Sequence, residues 1–147
     1  MRLQIKKKLK VIFLLLLAGL LASSCSALQP KPAALSDEQV GEVVENLLLA
    51  LDQGDYAAFS RDFSAEMKAA FTQAEFDKIR QMLQEASGSY ISKSTAKLSN
   101  SEDYAIYRLD CVYKQENVIV TVSFKVAGDK VEGLFFDSPN LRAANQS

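Results

Sequence analysis

With 147 residues and 48% of them hydrophobic, the chain has material for a single folded domain. It holds no histidine and two cysteines, which excludes a disulfide scaffold and removes histidine-based proton transfer and most ordinary zinc sites. The 17 basic and 18 acidic residues balance only on paper: Arg2, Lys6, Lys7, Lys8 and Lys10 fall within the first ten residues, so residues 25–147 carry 12 cations against 18 anions, a net of −6. That charge suits neither a nucleic-acid partner nor adhesion to anionic lipid.

Behind the five cations, Val11–Leu17 is an unbroken apolar run, continued by small and aliphatic residues to Ala22. These 12 residues fall short of the ~20 a helix needs to cross a bilayer. A basic flank, a short apolar core and small residues at its exit make a secretory signal. A buried core helix would not tolerate cations immediately before it. Ala22 and Ser24 also satisfy an ordinary signal peptidase, which would leave a simple secreted protein. The stretch Leu21-Ala22-Ser23-Ser24-Cys25 resembles a bacterial lipobox, with Ala22 where a large aliphatic residue is usual. The resemblance implies that residues 1–24 are a lipoprotein signal peptide. It further implies that Cys25 receives a diacylglyceryl thioether and further acylation of the palmitate type. The protein is then expected to be extracytoplasmic, lipid-anchored to a bacterial membrane of the cell envelope. Two acyl chains hold firmly where one holds reversibly. Residues 25–35 read as the lipidated cysteine and a flexible tether, opposed to regular structure by Pro30 and Pro32.

The folded domain is expected over 36–142, with 143–147 a disordered tail. Ser36 and Gln39 form a capping box. Val40, Val43, Val44, Leu47, Leu48 and Leu51 then recur at helical spacing, and Gly54 ends the helix. Asp55 caps a short helix through Phe59, anchored by Tyr56, Phe59 and Phe63. Ser64–Phe71 is a further helical piece. Thr72 and Glu75 open a last helix with an apolar face of Phe76, Ile79, Met82 and Leu83, stopped by Gly88.

From Tyr90 the period changes from 3.6 to 2. Tyr90–Thr95 is a weakly patterned strand. In Tyr104–Tyr113, Tyr107, Leu109, Cys111 and Tyr113 share a face; Cys111 there reads as a small buried hydrophobe. If Cys25 escaped lipidation, a Cys25–Cys111 disulfide is the alternative. After a polar turn at Lys114–Asn117, Val118, Val120, Val122, Phe124 and Val126 alternate with Ile119, Thr121, Ser123 and Lys125. Gly128-Asp129 turns the chain into Val131–Phe136. Helices first and an antiparallel meander afterwards give an α+β fold, N-terminal helices packed on an antiparallel sheet.

GDYAAF at 54–59, the Phe63, Met67, Phe71 series, the GSY before the first strand, and the pair VIVTVSF and KVEGLFF together resemble small domains of unknown function in the nuclear-transport-factor-like, or cystatin-like, superfamily. The resemblance implies a strongly curved, cone-shaped sheet with a cavity beneath it, and homodimerisation through the outer face of the sheet. In that cavity Tyr56, Tyr90, Tyr107, Tyr113 and Phe124 are the candidate pocket-lining residues. Asp110 is a weak candidate acid, whose neighbour Arg108 on the same strand face suggests a surface ion pair. No catalytic residue, cofactor or metal is assigned. The expected role is a non-enzymatic binding domain for a small apolar ligand or a protein partner. The alternatives are a small carboxylate-dependent enzyme working in the cavity and a purely structural dimerisation module.

Overall fold

The computed structural model describes residues 34–100 and 103–144. The signal segment, Cys25, the tether up to residue 33, Glu102 and residues 145–147 lie outside them. Five helices, α1 (Asp37–Gln53), α2 (Tyr56–Phe59), α3 (Ala65–Ala70), α4 (Gln73–Ala86) and α5 (Pro139–Ala144), accompany five strands, β1 (Tyr90–Lys93), β2 (Lys97–Asn100), β3 (Tyr104–Tyr113), β4 (Asn117–Lys125) and β5 (Val131–Asp137).

α1 begins in a reciprocal capping box: the Gln39 N–H donates to Ser36 Oγ at 3.2 Å, and the Ser36 N–H donates to Gln39 Oε1 at 3.0 Å. Its stripe of Val40, Val44, Leu47, Leu48 and Leu51 is buried. Removing five such side chains from water contributes on the order of 10 kcal/mol, gross of chain entropy. Gly54 closes the helix in the left-handed region, at φ 80°, where a β-carbon would be strained. The same end is capped from outside: Arg80 of α4 donates from Nε to the Leu51 carbonyl at 3.1 Å and from Nη2 to the Asp52 carbonyl at 3.4 Å. A guanidinium on the last carbonyls also complements the helix dipole.

The three helices that follow α1 start where the sequence predicts, with Asp55, Ser64 and Thr72 each accepting a backbone N–H as helix caps. Phe59 is the hub of an aromatic cluster, with ring centroids 5.0 Å from Phe63, 5.0 Å from Phe76 and 5.4 Å from Phe71. Offset and edge-on rings at this spacing attract one another beyond their area burial.

The sheet is antiparallel in the order β1-β3-β4-β5, with β2 also paired to β3. β1 pairs with Cys111–Tyr113 and β2 with Ala105–Arg108, so the two lie end to end on the edge of β3 away from β4. Tyr107, Leu109, Cys111, Tyr113, Val118, Val120, Val122 and Phe124 alternate onto the buried face. The cone-shaped, cystatin-like sheet implied by resemblance is not what forms: the sheet is open and not strongly curled. Curling requires bulges or kinks repeated through the strands. Here the register shifts only at the two margins, between Tyr90 and Ser92 and opposite Ser123 and Phe124, while β3 and β4 stay in register from Tyr104↔Lys125 to Val112↔Asn117.

Two elements escape the sequence reading, β2 and α5. β2 has the short, polar sequence KLSN and leaves Leu98 exposed. α5 starts with Pro139 at its first position, behind Ser138, whose Oγ accepts the Leu141 N–H at 3.2 Å. Its last residues extend past Arg142, where the domain was expected to stop.

Leu47→Asp should abolish cooperative unfolding, because it buries an unpaired charge at a cost of several kcal/mol in a domain of ordinary stability. Leu49→Asp, on the 42% exposed side of the same helix, should stay within about 0.5 kcal/mol of the parent. Thermal melts followed by circular dichroism compare the two, and equal behaviour would show that the stripe is misassigned.

Candidate functional site

The acidic residues at the start of α1 and the end of β1 face each other across an open groove of about 540 Å³. Asp37, Glu38, Gly41, Glu42 and Glu45 form one wall, and Lys93 to Ala96 form the other. Glu45 ties the walls together. Its Oε2 accepts the Tyr90 hydroxyl at 3.0 Å and lies 3.5 Å from Lys93 Nζ. Tyr90 and Lys93 reach this point because the shift in β1 register sets both on the helix side of the sheet, opposite Tyr113 and Cys111. Gly41 borders the ammonium: a β-carbon there would sit 3.5 Å from Lys93 Nζ, at ordinary contact distance.

Burial pushes the Tyr90 phenol above its ordinary range, and the hydrogen bond to Glu45 and its charge push in the same direction. The neighbouring Cys111 thiol is pushed up to about 12, chiefly by burial, with Lys93 opposing. Burial likewise raises the Tyr113 phenol. All three groups therefore stay protonated at neutral pH, so Cys111 is a poor nucleophile. The groove offers carboxylates, two hydroxyls and one ammonium that already has a partner. Such a wall suits hydrogen-bonding and electrostatic recognition.

The candidate pocket-lining residues do not converge on one cavity. Tyr107 and Phe124 pack edge to face in the core, 5.9 Å apart, and the Tyr107 hydroxyl donates to the Leu35 carbonyl. Tyr56 packs on Phe76 and donates to the Phe71 carbonyl at 2.7 Å. Tyr90 and Tyr113 meet at 5.7 Å and help line a pocket of about 10 Å³, with room for about one water. Asp110 lies on the opposite, exposed face, and the cation it meets is Lys97 at 3.7 Å rather than Arg108. Among the described residues no group of three or more His, Cys, Asp or Glu side chains is placed to hold a metal ion.

Glu45 and Lys93 are the residues that sequence reasoning passed over. Glu45 carries no pattern that sets it apart from the other acids of α1. Lys93 is three positions from Tyr90, which strict alternation puts on the opposite face; only the bulge brings them together.

A model of a family of proteins of unknown function, DUF3887, matches residues 44–134, from the middle of α1 to β5. The chain belongs to the DUF3887 family. This corrects the nuclear-transport-factor-like assignment, whose cone the open sheet does not form. A comparison with curated proteins finds no match.

Gly41→Ala should raise the melting temperature by a few degrees. Glycine inside a helix costs about 0.5–1 kcal/mol relative to alanine, and the added methyl would make only ordinary contact with Lys93. A fall in melting temperature would show that the Glu45–Lys93 contact needs the vacant space.

Proposed function

We propose that this member of the DUF3887 family is a lipid-anchored domain that works outside the cytoplasmic membrane of a bacterium and binds a protein partner through its surface. The single observation that carries the anchor is the succession of five cations, a short apolar run and Leu21-Ala22-Ser23-Ser24-Cys25 within the first 25 residues. Among the described residues no helix is long and apolar enough to cross a membrane; in this reading acyl chains on Cys25 are the means of attachment. The ten residues that follow Cys25 reach at most about 35 Å, which keeps the domain near the lipid.

Surface recognition is preferred to a small apolar ligand because the aromatic residues expected to surround one are spent on packing. Their hydroxyls bond to Leu35, Glu45 and Phe71, and the pocket beside Tyr90 and Tyr113 is about 10 Å³, against the ~300–1,000 Å³ of ordinary ligand sites. A second reading, self-association through the outer sheet face, draws on Phe135 and Val112, which are 63% and 40% exposed there.

Cys25→Ala in the full-length chain should move the protein from washed membranes to the soluble fraction, with unchanged folding. Retention of the variant in washed membranes, or a mature wild-type mass without acyl groups, would remove the anchor from the proposal. Sedimentation of the processed protein separates a monomer, expected for partner binding, from the self-associated form.

A further inference from the structure

We propose that the Glu116 carboxylate is a latch that holds the C-terminal helix α5 on the domain and releases it in acid. Glu116 stands in the β3–β4 connection, and donors from separate parts of the chain converge on it. Its Oε1 accepts both the Ser87 hydroxyl from the end of α4, at 2.7 Å, and the Ser138 hydroxyl from the start of α5, at 2.6 Å. Its Oε2 accepts the Asn140 N–H at 3.2 Å. Ser138 Oγ in turn accepts the Leu141 N–H, and Asn140 Nδ2 donates to the Ala86 carbonyl at 2.9 Å. One carboxylate thus joins α4, the hairpin and α5.

The helix is short and buries little of its own. It spans six residues, far below the ~12–15 at which isolated helices become even marginal, and Leu141 is its one buried side chain. Arg142 pairs with Asp137, both N–O distances being 2.7 Å, but the guanidinium is more than half exposed, where ion pairs contribute little.

The two ionised oxygens accept all three bonds; protonation turns one oxygen into a donor and leaves both weaker acceptors, which loosens the arrangement. Burial alone would raise the Glu116 value, but the Ser138 and Ser87 hydroxyls, the Asn140 N–H and the charge of Arg142 outweigh it and hold the carboxyl below the ordinary value of 4.5. Arg142 is the charged group that acts on it from α5, with Asp137 of β5 behind that guanidinium. α4 contributes the neutral Ser87, and Glu85 and Lys114, the charged residues nearby on α4 and next to the hairpin, are exposed. A value lower in the folded than in the unfolded chain means that the latch is fully engaged above 4.5 and fails as pH falls through the folded value. Release would uncover Leu141 and take away the wall that Asn140, Ala143 and Ala144 give to the open groove of about 640 Å³ beside α4.

Amide hydrogen exchange on the full-length chain, read by mass spectrometry between pH 3 and 7 and corrected for intrinsic rates, tests the latch. In the parent, protection of the α5 segment should fall at least tenfold in acid while β3–β4 stays protected. In Glu116→Gln, whose amide cannot accept on both atoms, α5 should be at least tenfold less protected at pH 6 and insensitive to acid. Asp137→Asn should keep the parental midpoint. Should Glu116→Gln fail to fold, Ser138→Ala serves instead, with lower α5 protection and a midpoint moved toward 4.5. Unchanged α5 protection in these variants, or joint loss of α5 and β3–β4 in acid, would overturn the proposal.

Discussion

The valine–leucine stripe of α1 can be buried only against a surface of matching length and alternation, and the paired faces of β3 and β4 supply it. Val40, Val44, Leu47, Leu48 and Leu51 belong to the same buried core as Tyr107, Leu109, Cys111, Val118, Val120, Val122 and Phe124. The unbroken β3–β4 register keeps those side chains on one face, since a slip of one residue would turn each of them outward. Other contacts are arranged around this layer. Arg80 and Gly54 fix where α1 stops, the aromatic cluster around Phe59 fills the space beside it, and Glu45 links the helix to β1.

Elements whose own residues carry a period or a cap were legible in the sequence. The Ser36–Gln39 box, the end at Gly54, the caps at Asp55 and Thr72, and the alternation of β3 and β4 all rest on neighbours three, four or two positions apart. What depends on distant partners was not legible. β2 is a strand because β3 offers it an edge, although KLSN has little strand pattern of its own. Global curvature was taken from likeness to another superfamily; the absence of central register shifts decides it otherwise. The Tyr90–Lys93 pairing is hidden by a bulge, and the partners of Glu116 lie 22 to 29 positions away.

The family match begins at Val44 and ends at Leu134. Glu45, Tyr90, Lys93, Ser87 and Glu116 fall within it, whereas Asp37, Glu38, Gly41 and Glu42 on the groove wall, and Ser138 and Asn140 at the latch, fall outside. Apart from Val40, the helix–sheet layer and the anchoring half of each polar cluster thus lie in the matched stretch. The exposed half of the groove and the helix held by Glu116 lie in the flanking segments.

The bond from the Tyr107 hydroxyl to the Leu35 carbonyl has a mechanical consequence. Tyr107 is fully buried in β3, between β2 and β4. Tension applied to the chain ahead of Leu35 is therefore shared with a central strand at the threshold of α1, before the helix can unwind. A load on the leading end thus reaches the sheet through this one bond before it reaches the first turn of α1.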